Sequence, residues 1–195
     1  TITDNESAPT VTLSSSASSI AENSGSSLTL TATLSNATTA DVTVGISTSG
    51  TGTEGTDYST ISDITISAGA TTGTSSFTPT DDSVYEGNET GIVAISTVSG
   101  GSATEDGTQS VTITINEDET APVVNLSINN SSIAENSDGT ITVTATLSFA
   151  TIINTTVVID TSGTATEGTD YGSISDITIN AGDTTGTATF DPTDD

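Results

Sequence analysis

The chain has 195 residues and a formal net charge of −26, because it contains 26 Asp and Glu residues but no Lys, Arg or His. The missing cations argue against nucleic acid or an anionic membrane as a partner, and the missing Cys and His exclude disulfides, thiolate nucleophiles and His-ligated zinc. No apolar run is long enough to predict membrane insertion. No carboxylate here can pair with a basic side chain, so only water, backbone N–H groups, protons or metal cations can neutralise a cluster of them.

An internal repeat organises the chain. Ala8-Pro9 recurs 113 residues later as Ala121-Pro122, and the same offset relates many longer segments. We therefore predict the tail of a preceding repeat at residues 1–7, one complete repeat at 8–120 and a second repeat at 121–195 that stops before its last two strands. On this interpretation the natural chain continues on both sides, and the incomplete second repeat exposes part of its core.

Each repeat shows the alternation of apolar residues with Thr that is typical of β-strands. In the first repeat it predicts seven strands, near residues 10–15, 27–35, 41–48, 63–67, 74–79, 90–98 and 110–116. The pattern predicts an all-β fold in which each repeat is an antiparallel β-sandwich with Greek-key connections. We expect Tyr58, Phe77 and Tyr85, the aromatic residues of the complete repeat, to fill the ends of its core.

Acidic residues concentrate at one end of this predicted sandwich. If successive strands alternate in direction, the connections after the first, third and fifth strands share one end with the C-terminus of the seventh. The acids at that end are Glu22, Glu54, Asp57, Asp81, Asp82, Glu86, Glu89, Glu117, Asp118 and Glu119. Calcium suits such a set best, since it takes about six to eight oxygen ligands, whereas Mg²⁺ demands a strict octahedron and softer metals prefer N or S. Solvated acidic turns are the alternative interpretation of any single residue.

Several segments, in this order, resemble a Calx-β domain. They are IAEN, which begins at Ile20, the GTATEGTDY type, DDSVYEGNET, which begins at Asp81, and VTITINEDE, which begins at Val111. The resemblance covers both repeats and implies an immunoglobulin-like sandwich. Calx-β domains occur as calcium sensors in sodium–calcium exchangers, in an integrin subunit and in large bacterial surface and adhesion proteins.

The resemblance also implies which residues hold Ca²⁺. In the first repeat these are Glu22, Asp57, Asp81, Asp82, Glu86, Glu89, Glu117, Asp118 and Glu119, and in the second Glu135, Asp170, Asp194 and Asp195. The Glu-Asp-Glu triplet departs from the family's Asp-rich one, which leaves the number of ions open. No enzymatic activity is predicted. Paired carboxylates could in principle form a glycosidase site, but the chain has no Trp platform and the same acidic pattern occurs in each repeat.

The repetition, the short linker 120–122 and the acidity favour a structural module that gives length and stiffness to a secreted surface protein, adhesin or extracellular filament. We expect an extracellular location, with neighbouring repeats of the same chain as partners, and leave open lateral or end-to-end self-association into a filament. A calcium-sensing regulatory module and a ligand-binding adhesive domain are the alternatives.

Overall fold

The computed structural model describes residues 7–194. The described residues divide into two compact units, one made of 7–83 and 87–118 and the other of 84–86 and 119–194, and each has its own hydrophobic core. Most of the predicted tail at residues 1–7, and Asp195, lie outside the described residues. No helix in the described part of the chain is long and apolar enough to cross a membrane.

The first repeat is a two-sheet β-sandwich, as the alternation predicts. Its described strands are β1 Thr10–Ser15, β2 Ser19–Ala21, β3 Leu28–Leu34, β4 Val42–Gly50, β5 Ile64–Ile66, β6 Thr72–Phe77, β7 Glu89–Ser99, β8 Thr104–Glu105 and β9 Ser110–Asn116. One sheet has the order β6-β3-β1-β8 and the other β2-β9-β7-β4-β5. A short 3₁₀ helix, Glu22–Ser24, follows β2. All seven predicted strands are present, and the all-β fold class is confirmed.

Two short strands, β2 and β8, escaped the sequence prediction, and both pair in parallel. β2 runs beside β9, with Ala21 opposite Asn116, and β8 runs beside β1. The other strand pairs of this repeat are antiparallel, as predicted. Strands of three and two residues are too short to show alternation. The chain between β1 and β2 passes from one sheet to the other, so a single N-terminal stretch contributes a strand to each sheet.

The core of the first repeat lies between the two sheets, where the apolar positions of the alternating strands meet. Phe77, at the end of β6, and Tyr58 are both buried and stack with ring centroids 4.6 Å apart. They close one end of the core, as predicted. Tyr85 is half-buried and does not belong to the core cluster, so its predicted role was wrong.

Gly91 on β7 lies directly against this aromatic pair. A Cβ added at Gly91 would lie 2.6 Å from Cε2 and 2.9 Å from Cζ of Phe77. We expect Gly91→Ala to lower the free energy of unfolding of the first repeat by about 1–3 kcal/mol, because a packed core resists an inserted methyl group. Denaturant unfolding measures this. Gly172→Ala is the control, since the nearest atom to its added Cβ is 3.8 Å away; equal effects of the two substitutions would contradict the packing argument.

The second repeat uses the same registers with fewer strands. Its described strands are β10 Val124–Ile128, β11 Ile141–Leu147, β12 Thr155–Val157, β13 Ile177–Ile179 and β14 Thr185–Phe190, in sheets β10-β11-β14 and β12-β13. Leu126 is 56% exposed, whereas its counterpart Leu13 is 7% exposed. Leu13 belongs to the same core cluster as Ile113 and Ile115 of β9, and no described strand of the second repeat corresponds to β7 or β9.

Candidate metal centre

The parallel pair β2–β9 sets the position of the first two carboxylates. Ala21 and Asn116 are the last paired residues of these strands, so Glu22 and Glu117 leave the sheet side by side at the same end. Neighbouring strands lie about 4.8 Å apart, which brings the two side chains within reach of one ion. Glu22 is only 8% exposed. The register of β2 against β9 therefore forces two acids into a shared, largely dry environment.

Neutral donors orient the acids that follow β9. The Glu117 N–H donates to Asn88 Oδ1 at 3.0 Å, and the Gly87 N–H donates to Glu117 Oε2 at 2.7 Å. Asn23 Nδ2 donates to Asp118 Oδ2 at 2.6 Å. Sequence reasoning missed Asn23 and Asn88 because it searched for carboxylates, although both lie inside the quoted motifs. The Gly87 N–H and the Asn23 amide hold two of the carboxylates in place, and Asn88 holds the Glu117 backbone, without neutralising any charge.

The connection between β4 and β5 carries Asp57 to the same end. The Thr53 N–H donates to Asp57 Oδ2 at 2.5 Å, which closes a tight turn around the carboxylate. The Thr80 N–H donates to the Asp57 carbonyl oxygen at 2.9 Å, and Tyr58 forms a β-bridge with Pro79. These backbone contacts bring Asp57 beside the segment that continues into Asp81 and Asp82.

Eight carboxylates of the first repeat come together in three overlapping groups, and within each group one oxygen per residue lies within 4.8 Å of all the others. The groups are Glu22, Glu117, Asp118 and Glu119; Glu22, Asp82 and Glu86; and Asp57, Glu86 and Glu89. We call these eight residues the acidic pole. Glu22 and Glu86 each belong to two groups. Asp81 and Glu54 belong to none of them, so the structure brings together eight of the nine ligands predicted for this repeat.

The donor set of the acidic pole fits Ca²⁺. Calcium lies about 2.3–2.6 Å from its ligands, so two oxygens on one ion are at most about 5 Å apart, and the observed 4.8 Å falls within that span. All the donors are hard oxygen atoms, which such a cation prefers. Glu22 is buried, five other members are half-buried, Asp82 and Asp118 are exposed, and no cationic side chain exists in the sequence. Grouping anions in a partly dry site is unfavourable unless a cation balances them.

The second repeat retains only part of this arrangement in its described residues. The Thr166 N–H donates to Asp170 Oδ2 at 2.6 Å, as in the first repeat. Glu135 and Asp194 are exposed, and residues 132–134, the counterpart of β2, form no strand. Glu135 and Asp170 line a cavity of about 370 Å³, but no three carboxylates come together among the described residues of this repeat. The β2–β9 pairing that places Glu22 has no described counterpart here.

Tyr58 has a raised pKa beside the acidic pole. Burial raises the pKa of its phenol above the ordinary value of 10.0, and Glu54, Asp57 and Glu89 raise it further, while a hydrogen bond with Thr48 lowers it. A folded-state pKa above the unfolded one stabilises the fold below the unfolded pKa, and this contribution is lost as pH rises through the folded pKa.

We therefore expect the melting temperature of the first repeat to fall more steeply above about pH 10 than that of a Tyr58→Phe variant, which has no phenol to ionise. Melting curves of the two proteins between about pH 8 and 12 measure this. Parallel pH profiles would show that ionisation of Tyr58 is not linked to unfolding.

Comparison with known proteins gives one family. The profile of the Calx-beta domain matches residues 4–119 and 117–190. Among solved structures, an apo-form Calx CBD1 domain is similar over 56% of this chain and 99% of its own, with 18% identity and a TM-score of 0.47. CBD12 from CALX1.2 is similar over 89% of this chain and 71% of its own, with 19% identity and a TM-score of 0.46. The calcium binding domain CBD12 of CALX1.1 is similar over 91% of this chain and 73% of its own, with 16% identity and a TM-score of 0.45. A search among curated proteins gives no match.

Proposed function

Because the chain belongs to the Calx-beta domain family, we propose that its complete repeat is a calcium-binding module whose ions bind at the acidic pole. One observation carries this proposal: eight carboxylates form three overlapping groups in a chain that has no Lys, Arg or His. Calcium supplies the positive charge that no side chain here can supply. Water alone would leave half-buried anions within 4.8 Å of one another.

The residues of the acidic pole come from separate parts of the repeat, which gives calcium a mechanical role. Glu22 follows β2, Glu117 follows β9 and Glu89 begins β7, while Asp57 and Asp82 lie in connections between strands. Their mutual repulsion opposes the packing of these segments when no cation is present. One ion shared by several of them replaces that repulsion with cross-links. Binding therefore favours the folded repeat, since the unfolded chain does not hold these oxygens together.

Thermal unfolding of the 195-residue chain in calcium and in chelator tests the proposal. At a calcium concentration of about one hundred times the dissociation constant, the folded first repeat should gain about 2.7 kcal/mol. Magnesium and sodium at matched ionic strength control for screening of the negative charge. A shift of the same size with sodium alone would mean that the acidic pole is only solvated.

We further propose that the module is a stiff spacer in a secreted surface protein, adhesin or extracellular filament, where calcium is abundant. The support comes from the closely similar repeats and from the linker 120–122, which directly follows the acidic triplet 117–119 and includes Pro122. Calcium bound by the triplet would restrain this short linker. Small-angle scattering should therefore give a narrower distribution of overall dimensions in calcium than in chelator. An unchanged distribution would contradict the stiffening role while leaving calcium binding itself intact.

A further inference from the structure

Glu54 lies in the same connection as Asp57 but belongs to none of the carboxylate groups. Both of its oxygens accept hydrogen bonds from the protein. The Thr48 hydroxyl donates to Glu54 Oε2 at 2.6 Å, and the Ile61 N–H donates to Glu54 Oε1 at 2.7 Å. Thr48 lies on β4 and Ile61 beyond the turn, so the Glu54 carboxylate ties the two ends of this connection together. We call this pair of hydrogen bonds the Glu54 clamp.

The segment inside the clamp is the one that carries Asp57. The Gly55 N–H donates to the Tyr58 carbonyl oxygen at 2.7 Å, and the Asp57 N–H donates to the Thr53 carbonyl oxygen at 2.9 Å. Tyr58 directly follows Asp57 and stacks on Phe77 with ring centroids 4.6 Å apart. The clamp therefore fixes the turn onto β4 and onto the buried aromatic pair.

The same turn is joined to the segment that carries Asp82 by backbone hydrogen bonds, one of which is donated by the Ser59 N–H to the Thr78 carbonyl oxygen at 2.9 Å. The Thr80 N–H donates to the Asp57 carbonyl oxygen at 2.9 Å, and Asp82 follows two residues later. If the turn that carries Asp57 moves, the hydrogen bond between Thr80 and Asp57 is displaced as well. The position of Asp82 against Glu22 therefore depends on the same backbone that presents Asp57.

The second repeat contains an independent copy of the clamp. The Thr161 hydroxyl donates to Glu167 Oε2 at 2.9 Å, and the Ile174 N–H donates to Glu167 Oε1 at 3.2 Å. The Thr193 N–H donates to the Asp170 carbonyl oxygen at 2.9 Å, the counterpart of the Thr80 contact. This copy forms although no three carboxylates come together among the described residues of that repeat. The clamp is therefore a property of the turn itself and does not depend on an assembled carboxylate group.

From these contacts we propose that Glu54 is a positioning residue of the calcium site: it contributes no ligand, but it fixes the turn that presents Asp57 and the Asp82 segment. The inference rests on the proposed function. It assigns different roles to two acids that are three residues apart. Asp57 offers an oxygen to a carboxylate group of the acidic pole, whereas both oxygens of Glu54 accept hydrogen bonds from Thr48 and Ile61.

Four variants of the 195-residue chain test this assignment. Glu54→Ala removes the clamp. Glu54→Gln removes the charge but keeps the geometry, because its amide oxygen can accept from Ile61 and its NH₂ can donate to the Thr48 hydroxyl oxygen. Asp57→Asn removes a proposed ligand. Glu167→Ala breaks the copy of the clamp in the second repeat and is the matched control. The readouts are calcium affinity by titration calorimetry and, in chelator, the hydrogen-exchange rates of the Thr53 and Thr80 amides.

We expect Glu54→Ala to weaken calcium binding by about 10–100-fold, the usual cost of losing a residue that orients a ligand. It should also speed exchange at Thr53 and Thr80, while Glu54→Gln stays within a few-fold of the parent in both readouts. Glu167→Ala should leave calcium affinity unchanged and speed exchange only at Thr166 and Thr193.

Two results would overturn the inference. If Glu54→Gln lost as much affinity as Asp57→Asn, Glu54 would act through its charge, as a ligand does. If Glu54→Ala kept the affinity and exchange rates of the parent, the clamp would position nothing. Absence of calcium binding by the parent chain would instead overturn the proposed function, and with it any role of Glu54 toward calcium; the exchange rates would then report only on the turn.

Discussion

Replacing Phe77 with Ala should destabilise the first repeat by about 3–5 kcal/mol, the range for removing a large aromatic side chain from a core. Phe77 is fully buried and stacks on Tyr58. Gly91 faces the same ring at a distance that leaves no room for a Cβ. Removing the ring therefore leaves a cavity that Gly91 has no side chain to fill, and the lost contacts add to the lost burial.

Phe190→Ala in the second repeat is the matched comparison. Phe190 is half-buried, and its ring is tilted by 58° from that of Tyr171 at a centroid distance of 5.4 Å. It should cost less than Phe77→Ala, because it removes less apolar area from contact with the protein. Denaturant unfolding of both variants, followed by the near-ultraviolet signal of the Tyr residues, gives the two values. Equal losses would mean that the Phe77–Tyr58 stack contributes little beyond ordinary partial burial.

The sequence predicts the strands well where alternation is long enough to be seen. Six of the seven strands found from periodicity present two or more apolar residues to one face, and β6 presents Phe77. β2 and β8 have three and two residues, and only the tertiary pairing with β9 and β1 makes them strands. The parallel direction of β2 could not be predicted, because it depends on the chain passing from one sheet to the other between β1 and β2.

The sequence also predicts the end of the sandwich at which the acids meet, but not which of them meet. Asp81 and Asp82 are adjacent and identical in type, yet only Asp82 joins a group of carboxylates. Glu22 and Glu135 lie in the same AEN sequence, yet one is buried and the other exposed. The difference is the partner strand: Glu22 follows a strand paired with β9, and residues 132–134 form no strand. A motif therefore identifies the candidates, and strand pairing decides which of them can share an ion.

The largest functional effect should come from Glu22→Gln, because Glu22 is buried and belongs to two of the three groups. The substitution keeps the shape of the side chain and removes one anionic oxygen donor. We expect Glu22→Gln to abolish most of the stabilisation that calcium gives to the folded first repeat. If affinity falls by about one hundredfold, a calcium concentration that gives the parent about 2.7 kcal/mol gives the variant only about 0.4 kcal/mol.

In chelator, the effect of Glu22→Gln on the stability of the first repeat should have the opposite sign. Glu22→Gln removes one of the like charges that lie within 4.8 Å of one another at the acidic pole, so the metal-free variant should be at least as stable as the metal-free parent. Melting curves of parent and variant, with and without calcium, give both values from one pair of proteins. Glu135→Gln is the control, since it makes the same change at an exposed position outside any such group and should leave both values unchanged. A full calcium shift in Glu22→Gln would remove Glu22 from the ligand set. Destabilisation of equal size with and without calcium would mean that Glu22 serves the fold and not the ion.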